Sequence, residues 1–165
     1  MIIVCPLSAV QSLVQEHKVG HVVSLLAPGT EHPSIANLAR HLRLSFHDII
    51  AEMEGFVTPA TSDSQKLITF FEQWDKANPL LIHCWAGISR STAAAFTAMC
   101  MLKPRSDEEE LAWQLRRLSP SASPNRLIVS HADALLDRGG RMIAAVDAIG
   151  RGAEAAEGVP FTFLP

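Results

Sequence analysis

The residues best suited to chemistry lie together near the middle of the chain, in the segment Leu80-Leu81-Ile82-His83-Cys84-Trp85-Ala86-Gly87-Ile88-Ser89-Arg90-Ser91-Thr92. A short apolar run leads to a cysteine, five residues separate it from an arginine and a serine, and an apolar stretch follows. A loop of this length entering a helix can curl its backbone N–H groups toward one centre and so hold an anion. Gly87 would relieve the turn where a side chain and the sign of φ conflict. The same N–H groups and the positive end of the helix favour the thiolate of Cys84, which is the nucleophilic form. Arg90 offers a planar fork for two oxygens of a phosphate, a match that lysine lacks. Ser91 could hydrogen-bond the sulfur and help it leave when a covalent intermediate is hydrolysed. A buried cysteine is usually a small apolar residue, but Gly87, Arg90 and Ser91 in succession argue against that reading here.

These residues need a scaffold that delivers them to one point. Ile2 to Cys5 reads as a strand ended by Pro6, and Ser8 to Lys18 carries Val10, Leu13 and Val14 at helical spacing. His21 to Ala27 is β-branched-rich and stops at Pro28-Gly29, and Leu42, Leu44 and Phe46 alternate as in another strand. Ser62 with Gln65 has capping-box spacing, and Leu67, Phe70, Phe71 and Trp74 mark one helical face, read as core. Pro79 to His83 is a short apolar strand suited to the middle of a parallel sheet. Ser106-Asp107-Glu108-Glu109 predicts a second capping box, and its acidic run reads as a solvated helix start. Ser123-Pro124 would start a further helix ended by Gly139-Gly140, and Arg141 to Ile149 a last short one. Residues 151–165, rich in Gly, Ala and Glu, are expected to be a loosely attached tail. The pattern predicts a single-domain α/β fold over residues 1–150, a mostly parallel central sheet flanked by helices. Ligands in such sheets bind beyond the carboxyl ends of strands, which points to the residues after His83.

Composition narrows the classes. The chain has 165 residues, 48% hydrophobic and 19% charged, which fits one globular domain and excludes wholesale disorder. A net charge of −3 gives no nucleic-acid or anionic-membrane surface, so any anion site must be a local pocket. Cys5, Cys84 and Cys100 form no CxxC pair, so a disulfide scaffold is not expected. The opening residues lack a basic signal-peptide region, and the apolar run Thr92 to Leu102 is about half a membrane span. Those features predict a soluble cytoplasmic protein, and the Ala- and Arg-rich composition suggests a bacterial source. No histidine pair has ligand spacing, so neither metal nor cofactor is expected.

The string His83-Cys84-Trp85-Ala86-Gly87-Ile88-Ser89-Arg90-Ser91 resembles the signature of the protein tyrosine and dual-specificity phosphatase superfamily, closest to its compact dual-specificity branch. The resemblance implies Cys84 as nucleophile, Trp85, Ala86, Gly87, Ile88, Ser89 and Arg90 as the phosphate cradle, and Arg90 as transition-state clamp. It implies a structural role for His83, hydrogen-bonding the loop backbone. The family also needs an aspartic acid upstream to protonate the leaving oxygen. Leu44-Ser45-Phe46-His47-Asp48-Ile49 resembles the segment that carries it, making Asp48 the candidate and Glu52, Glu54 and Asp63 its competitors. Ser123-Pro124-Asn125 resembles the turn into the last core helix of these phosphatases, with Asn125 as structural support. The resemblance runs from about Leu42 to Arg138.

There are departures. The chain contains no tyrosine, so it lacks the tyrosine-bearing recognition loop of the larger tyrosine-specific enzymes, and no Trp-Pro adjoins Asp48. Both absences favour a shallow, permissive pocket. The expected substrate is a phosphorylated protein or peptide, with no nucleic acid or membrane partner, and the sequence is silent on oligomeric state. The alternatives are a phosphoinositide or RNA 5′-phosphatase, or a non-catalytic phosphoprotein-binding module. Phosphoinositide-type members usually carry basic residues between the cysteine and the arginine, and this loop has none. A disulfide from Cys84 to Cys5 or Cys100 is a further, minor expectation.

Overall fold

The computed structural model, which describes residues Met1–Pro165, contains five strands and six α-helices, strands and helices interspersed in the first half and four helices in succession in the second. The strands are β1 (Ile2–Pro6), β2 (His21–Leu26), β3 (Arg40–Ser45), β4 (Leu80–Cys84) and β5 (Phe161–Phe163). They form one sheet in the order β3-β2-β4-β1-β5, parallel except for β5, which runs antiparallel to β1. Every residue of β1, β2 and β4 is buried, as expected of parallel strands covered on both faces, whereas β3 at the edge is largely half-exposed.

The helices are α1 (Val10–His17), α2 (Thr61–Glu72), α3 (Arg90–Leu102), α4 (Glu108–Leu118), α5 (Arg126–Leu135) and α6 (Arg141–Ile149). Alternation along the strands divides the core in two. Ile3, Cys5, Val22 and Leu81 face α1 with Val10 and Val19, while Ile2, Val4, Val23, Leu25 and Ile82 face the larger core built with α2 to α6. Helix α3 is buried from Arg90 to Cys100, and Ala93, Ala94, Ala95 and Ala98 let its backbone lie close to its neighbours. The chain leaves β1 toward α1 and leaves β4 toward α3, on opposite faces of the sheet. Adjacent strands that part in this way open a crevice at their carboxyl ends. No helix is long and apolar enough to cross a membrane.

Four local expectations are corrected. Asp63, not Ser62 with Gln65, closes the start of α2, by accepting the Ala60 N–H at 3.0 Å. Asp107, not Ser106, caps α4, accepting from the Glu109 and Glu110 N–H groups. Helix α5 starts after Pro124 rather than with it, because the Asn125 side chain takes the Leu127 and Ile128 N–H groups, both at 3.1 Å. The segment expected as a loose tail instead returns to the sheet: Phe161 and Phe163 are buried in β5, and Gly158 is buried beside the loop that follows β4. Its Phe-Thr-Phe alternation is strand-like but only three residues long, too short to stand out in sequence.

Candidate active site

The loop Trp85–Ser89 joins the central strand β4 to α3, and its shape is set from outside. The Trp85 carbonyl accepts from Leu7 N–H at 3.0 Å, that of Ala86 from Gly158 N–H at 2.8 Å, and that of Ile88 from Ser123 N–H at 2.9 Å. Ser89 carbonyl takes Ala93 N–H at 2.9 Å and Asn125 N–H at 3.2 Å. With carbonyls held by the surrounding backbone, the loop's N–H groups are free for the interior of the turn. Gly87 sits at φ +72°, and its N–H donates to Cys84 Sγ at 3.2 Å. A Cβ at Gly87 would lie 2.7 Å from Pro6 N and 2.9 Å from Cys5 C, so only glycine lets the loop rest against the end of β1. The backbones at residues 87 and 158 approach almost as closely, since a Cβ on Gly158 would come within 2.7 Å of the Gly87 carbonyl oxygen.

Cys84 is buried and its sulfur lies 3.1 Å from Ser91 Oγ, so two protein dipoles address it, one from the loop and one from the first turn of α3. No side chain caps the start of α3. Ser89, which holds the capping position, turns its hydroxyl to Asp48 instead, donating to Oδ1 at 2.7 Å. Arg90 is buried, donates from one terminal nitrogen to the Phe46 carbonyl at 3.0 Å, and keeps Nε without a hydrogen-bond partner, 3.8 Å from Asp48 Oδ2. A buried guanidinium with an unpaired N–H beside a nest of backbone amides suits a tetrahedral oxyanion.

Asp48 reaches this cluster from the loop after β3. His47 clasps that loop shut: its N–H donates to the Val57 carbonyl and its Nδ1 accepts the Val57 N–H, both at 2.8 Å, while Phe56 packs edge-on to its ring. Asp48 Oδ1 receives both the Ser89 hydroxyl and Asn125 Nδ2 (2.8 Å), whereas Oδ2 takes no hydrogen bond. One carboxylate oxygen is therefore fixed and the other is open to a ligand. Of the competitors, Asp63 is engaged at the start of α2, and Glu52 and Glu54 are exposed on the same loop as Asp48. A groove of about 470 Å³ runs from Asp48 and Ser89 past Met53 to Asn125 and Arg126.

Below the loop, His83 lies within β4 and is buried, and its Nδ1 is 3.3 Å from the Cys84 carbonyl. Burial holds its imidazole down to about 4, against the Cys84 carbonyl contact, which acts in the opposite direction; His41, His32 and Arg90 add to the lowering. Cys5 pairs with His83 in the sheet register and therefore projects to the α1 face, away from Cys84. Burial, with a smaller contribution from Cys84, pushes the Cys5 thiol up to about 12. Cys100 is ten residues beyond Arg90 along α3, about 15 Å by helical rise. Neither cysteine is placed to bridge Cys84, which corrects the disulfide expectation.

Comparison with solved structures then gives the architecture a name. The crystal structure of DUSP15 is similar at a TM-score of 0.64 and 16% identity, covering 89% of this chain and 90% of that one. The human tyrosine phosphatase-like serine/threonine/tyrosine-interacting protein is similar at 0.63 and 18%, covering 84% and 92%. PTPMT1 in complex with PI(5)P follows at 0.62 and 15%, covering 84% and 94%. The fold is that of the dual-specificity phosphatases. No protein-family pattern and no curated protein sequence matches the chain.

Within this dual-specificity phosphatase fold, the structure gathers Cys84, Arg90, Ser91, Asp48, Ser89 and Asn125 at one crevice. Sequence reasoning missed the Ser89 hydroxyl's contact with Asp48 and the second task of Asn125, which joins the helix cap to the carboxylate. It also missed Ser24, whose hydroxyl lies 2.6 Å from His83 Nε2. Trp85 contributes backbone to the loop, while its indole is largely exposed.

Proposed function

We propose that this chain hydrolyses phosphate monoesters on proteins through a phosphocysteine on Cys84. The observation that carries the reading is the Cys84 sulfur between the Gly87 N–H and the Ser91 hydroxyl, with the unpaired Nε of Arg90 and the open Oδ2 of Asp48 on the same crevice. In the first step the Cys84 thiolate attacks phosphorus and the bond from phosphorus to the leaving oxygen breaks. Asp48, protonated at Oδ2, gives that proton to the leaving oxygen. Arg90 and the loop N–H groups hold the equatorial oxygens where charge accumulates. In the second step water attacks phosphorus, Asp48 takes its proton, and the S–P bond breaks. Ser91 donates a hydrogen bond to the departing thiolate. No step requires a metal.

A protein substrate is favoured by the loop chemistry. A polyphosphorylated headgroup would call for cations inside the cradle, and Trp85-Ala86-Gly87-Ile88-Ser89 supplies none. Glu52 and Glu54, on the same loop as Asp48, would repel further phosphates. The test is hydrolysis of a phosphotyrosine and a phosphothreonine peptide, with chelator present, by wild type, Cys84→Ser and Asp48→Asn. Turnover abolished by the first substitution and strongly reduced by the second supports the mechanism; wild-type turnover in Cys84→Ser would overturn it. Absence of wild-type turnover on both peptides would move the reading to a phosphoinositide or RNA substrate, or to a binding module.

A further inference from the structure

A chain of polar side chains crosses the sheet under the loop, on the face opposite the Cys84 thiol. Ser24 on β2 pairs with His83 on β4 in the register and shares its face. Its Oγ lies 2.6 Å from His83 Nε2 and 2.7 Å from Nε2 of His41, on the edge strand β3. Ser24 is buried and His41 half-buried, so the chain leads from the centre of the sheet toward its edge.

The hydrogens in this chain have one consistent order. The Cys84 carbonyl can only accept, so the hydrogen between it and His83 belongs to Nδ1. Burial keeps His83 neutral near pH 7, so Nε2 carries a lone pair and accepts the Ser24 hydroxyl hydrogen. The Ser24 oxygen then accepts the Nε2–H of His41. His41 donates to Ser24, Ser24 to His83, and His83 to the Cys84 carbonyl.

We propose that Ser24 and His41 are positioning residues for the phosphate loop, acting through His83 to hold the Cys84 peptide with its carbonyl pulled away from the sulfur. The inference rests on Cys84 being the nucleophile. A carbonyl oxygen is the negative end of the peptide dipole, and any freedom to swing toward the thiolate would destabilise the anion. The His83 N–H restrains it, and Ser24 fixes which His83 nitrogen carries that hydrogen. Removing the Ser24 hydroxyl lets the hydrogen move to Nε2, leaving a lone pair facing the carbonyl oxygen. The groups that also bear on the charge of His83 are Arg90 at the loop and His41 and His32 on the β3 side, with Arg43 beside His41, while the neighbour on β1 is the thiol of Cys5.

The test is the pH dependence of Cys84 alkylation by iodoacetamide, read by peptide mapping, beside kcat and KM for p-nitrophenyl phosphate. Ser24→Ala should raise the pH midpoint of alkylation by about half a pH unit or more and lower kcat about tenfold, with KM changed less than about twofold. His41→Phe should shift both the same way by less, and His41→Gln, which keeps an N–H donor, should recover most of the loss. An unchanged alkylation midpoint in Ser24→Ala overturns the proposal even if kcat falls, because a merely structural lesion would act in that way. Alkylation needs no turnover, so a wild-type protein that is alkylated at Cys84 yet hydrolyses no phosphate ester would defeat the proposed function and not this inference.

Discussion

Asn125 works with both ends of one side-chain amide, and its substitution separates stability from chemistry. Its Oδ1 caps α5 through two N–H groups, while its Nδ2 donates to Asp48 Oδ1 and to the Ile49 carbonyl. In Asn125→Ala the lost cap costs about 1 kcal/mol. The hydrogen bond to Asp48 adds roughly 1.5 kcal/mol, the lower end for a bond to a charged group, because the Asp48 side chain is 35% exposed. A total near 2.5 kcal/mol should appear in a urea titration. Asn125→Asp keeps a capping oxygen but sets a carboxylate against Asp48. At about 4 Å that repulsion is between roughly 1 and 4 kcal/mol, enough to turn Asp48 out of the crevice. The decisive assay compares leaving groups. Phenyl phosphate needs an acid for its poor leaving group, and p-nitrophenyl phosphate needs it far less. Both variants should lose about tenfold or more in kcat on the phenyl ester, and clearly less on the nitrophenyl ester. An equal loss on both esters would refute the claim that Asn125 acts through Asp48.

Three further outcomes follow from the same geometry. Gly87→Ala must bear a left-handed backbone, costing about 1–2 kcal/mol, and a Cβ against the Pro6 and Cys5 backbone; urea unfolding should show a loss above about 2 kcal/mol with activity nearly abolished, and a wild-type profile would contradict the packing described. His83 and His41 are both held neutral, each down to about 4, chiefly by burial. Because the unfolded chain binds their protons first, their contribution is whole above about pH 6.5 and drains away as pH falls toward 4, by roughly 3 kcal/mol for His83 and less for the half-exposed His41. Urea titrations from pH 7.5 to 4.5 should show that decline, and His83→Gln should flatten it; an equal slope in the variant would count against the assignment. Hydrogen peroxide should leave no Cys5–Cys84 bridge in mass-spectrometric mapping of the native protein, since the two side chains leave opposite faces of the sheet; a stoichiometric bridge would mean that β1 or β4 moves.

What the sequence made legible was local. Cys84, Gly87, Arg90 and Ser91 lie within eight residues, so their spacing already states the loop geometry. The family resemblance makes Asp48 the candidate acid, and only the fold shows that Ser89 and Asn125 hold one of its oxygens and leave the other open. Ser24, His41 and His83 were not legible as a group, because their meeting depends on the register of three strands. Within β2, Ser24 reads as an ordinary interruption of an apolar run. The helix starts shifted by one or two residues for a related reason: several neighbouring side chains could cap each end, and the tertiary fold selects among them.

The Gly158 N–H on the Ala86 carbonyl gives the site an order in time. During synthesis β4, the loop and α3 leave the ribosome long before the segment that carries Gly158 and β5. Until that segment arrives, one of the carbonyls that must face outward has no partner, and β1 presents an open edge where β5 will later pair. The loop after β4 therefore waits for a contact from a residue roughly seventy positions downstream of it, Gly158. A polypeptide cut before Gly158 would carry Cys84 and Arg90 without the contact that holds the Ala86 carbonyl.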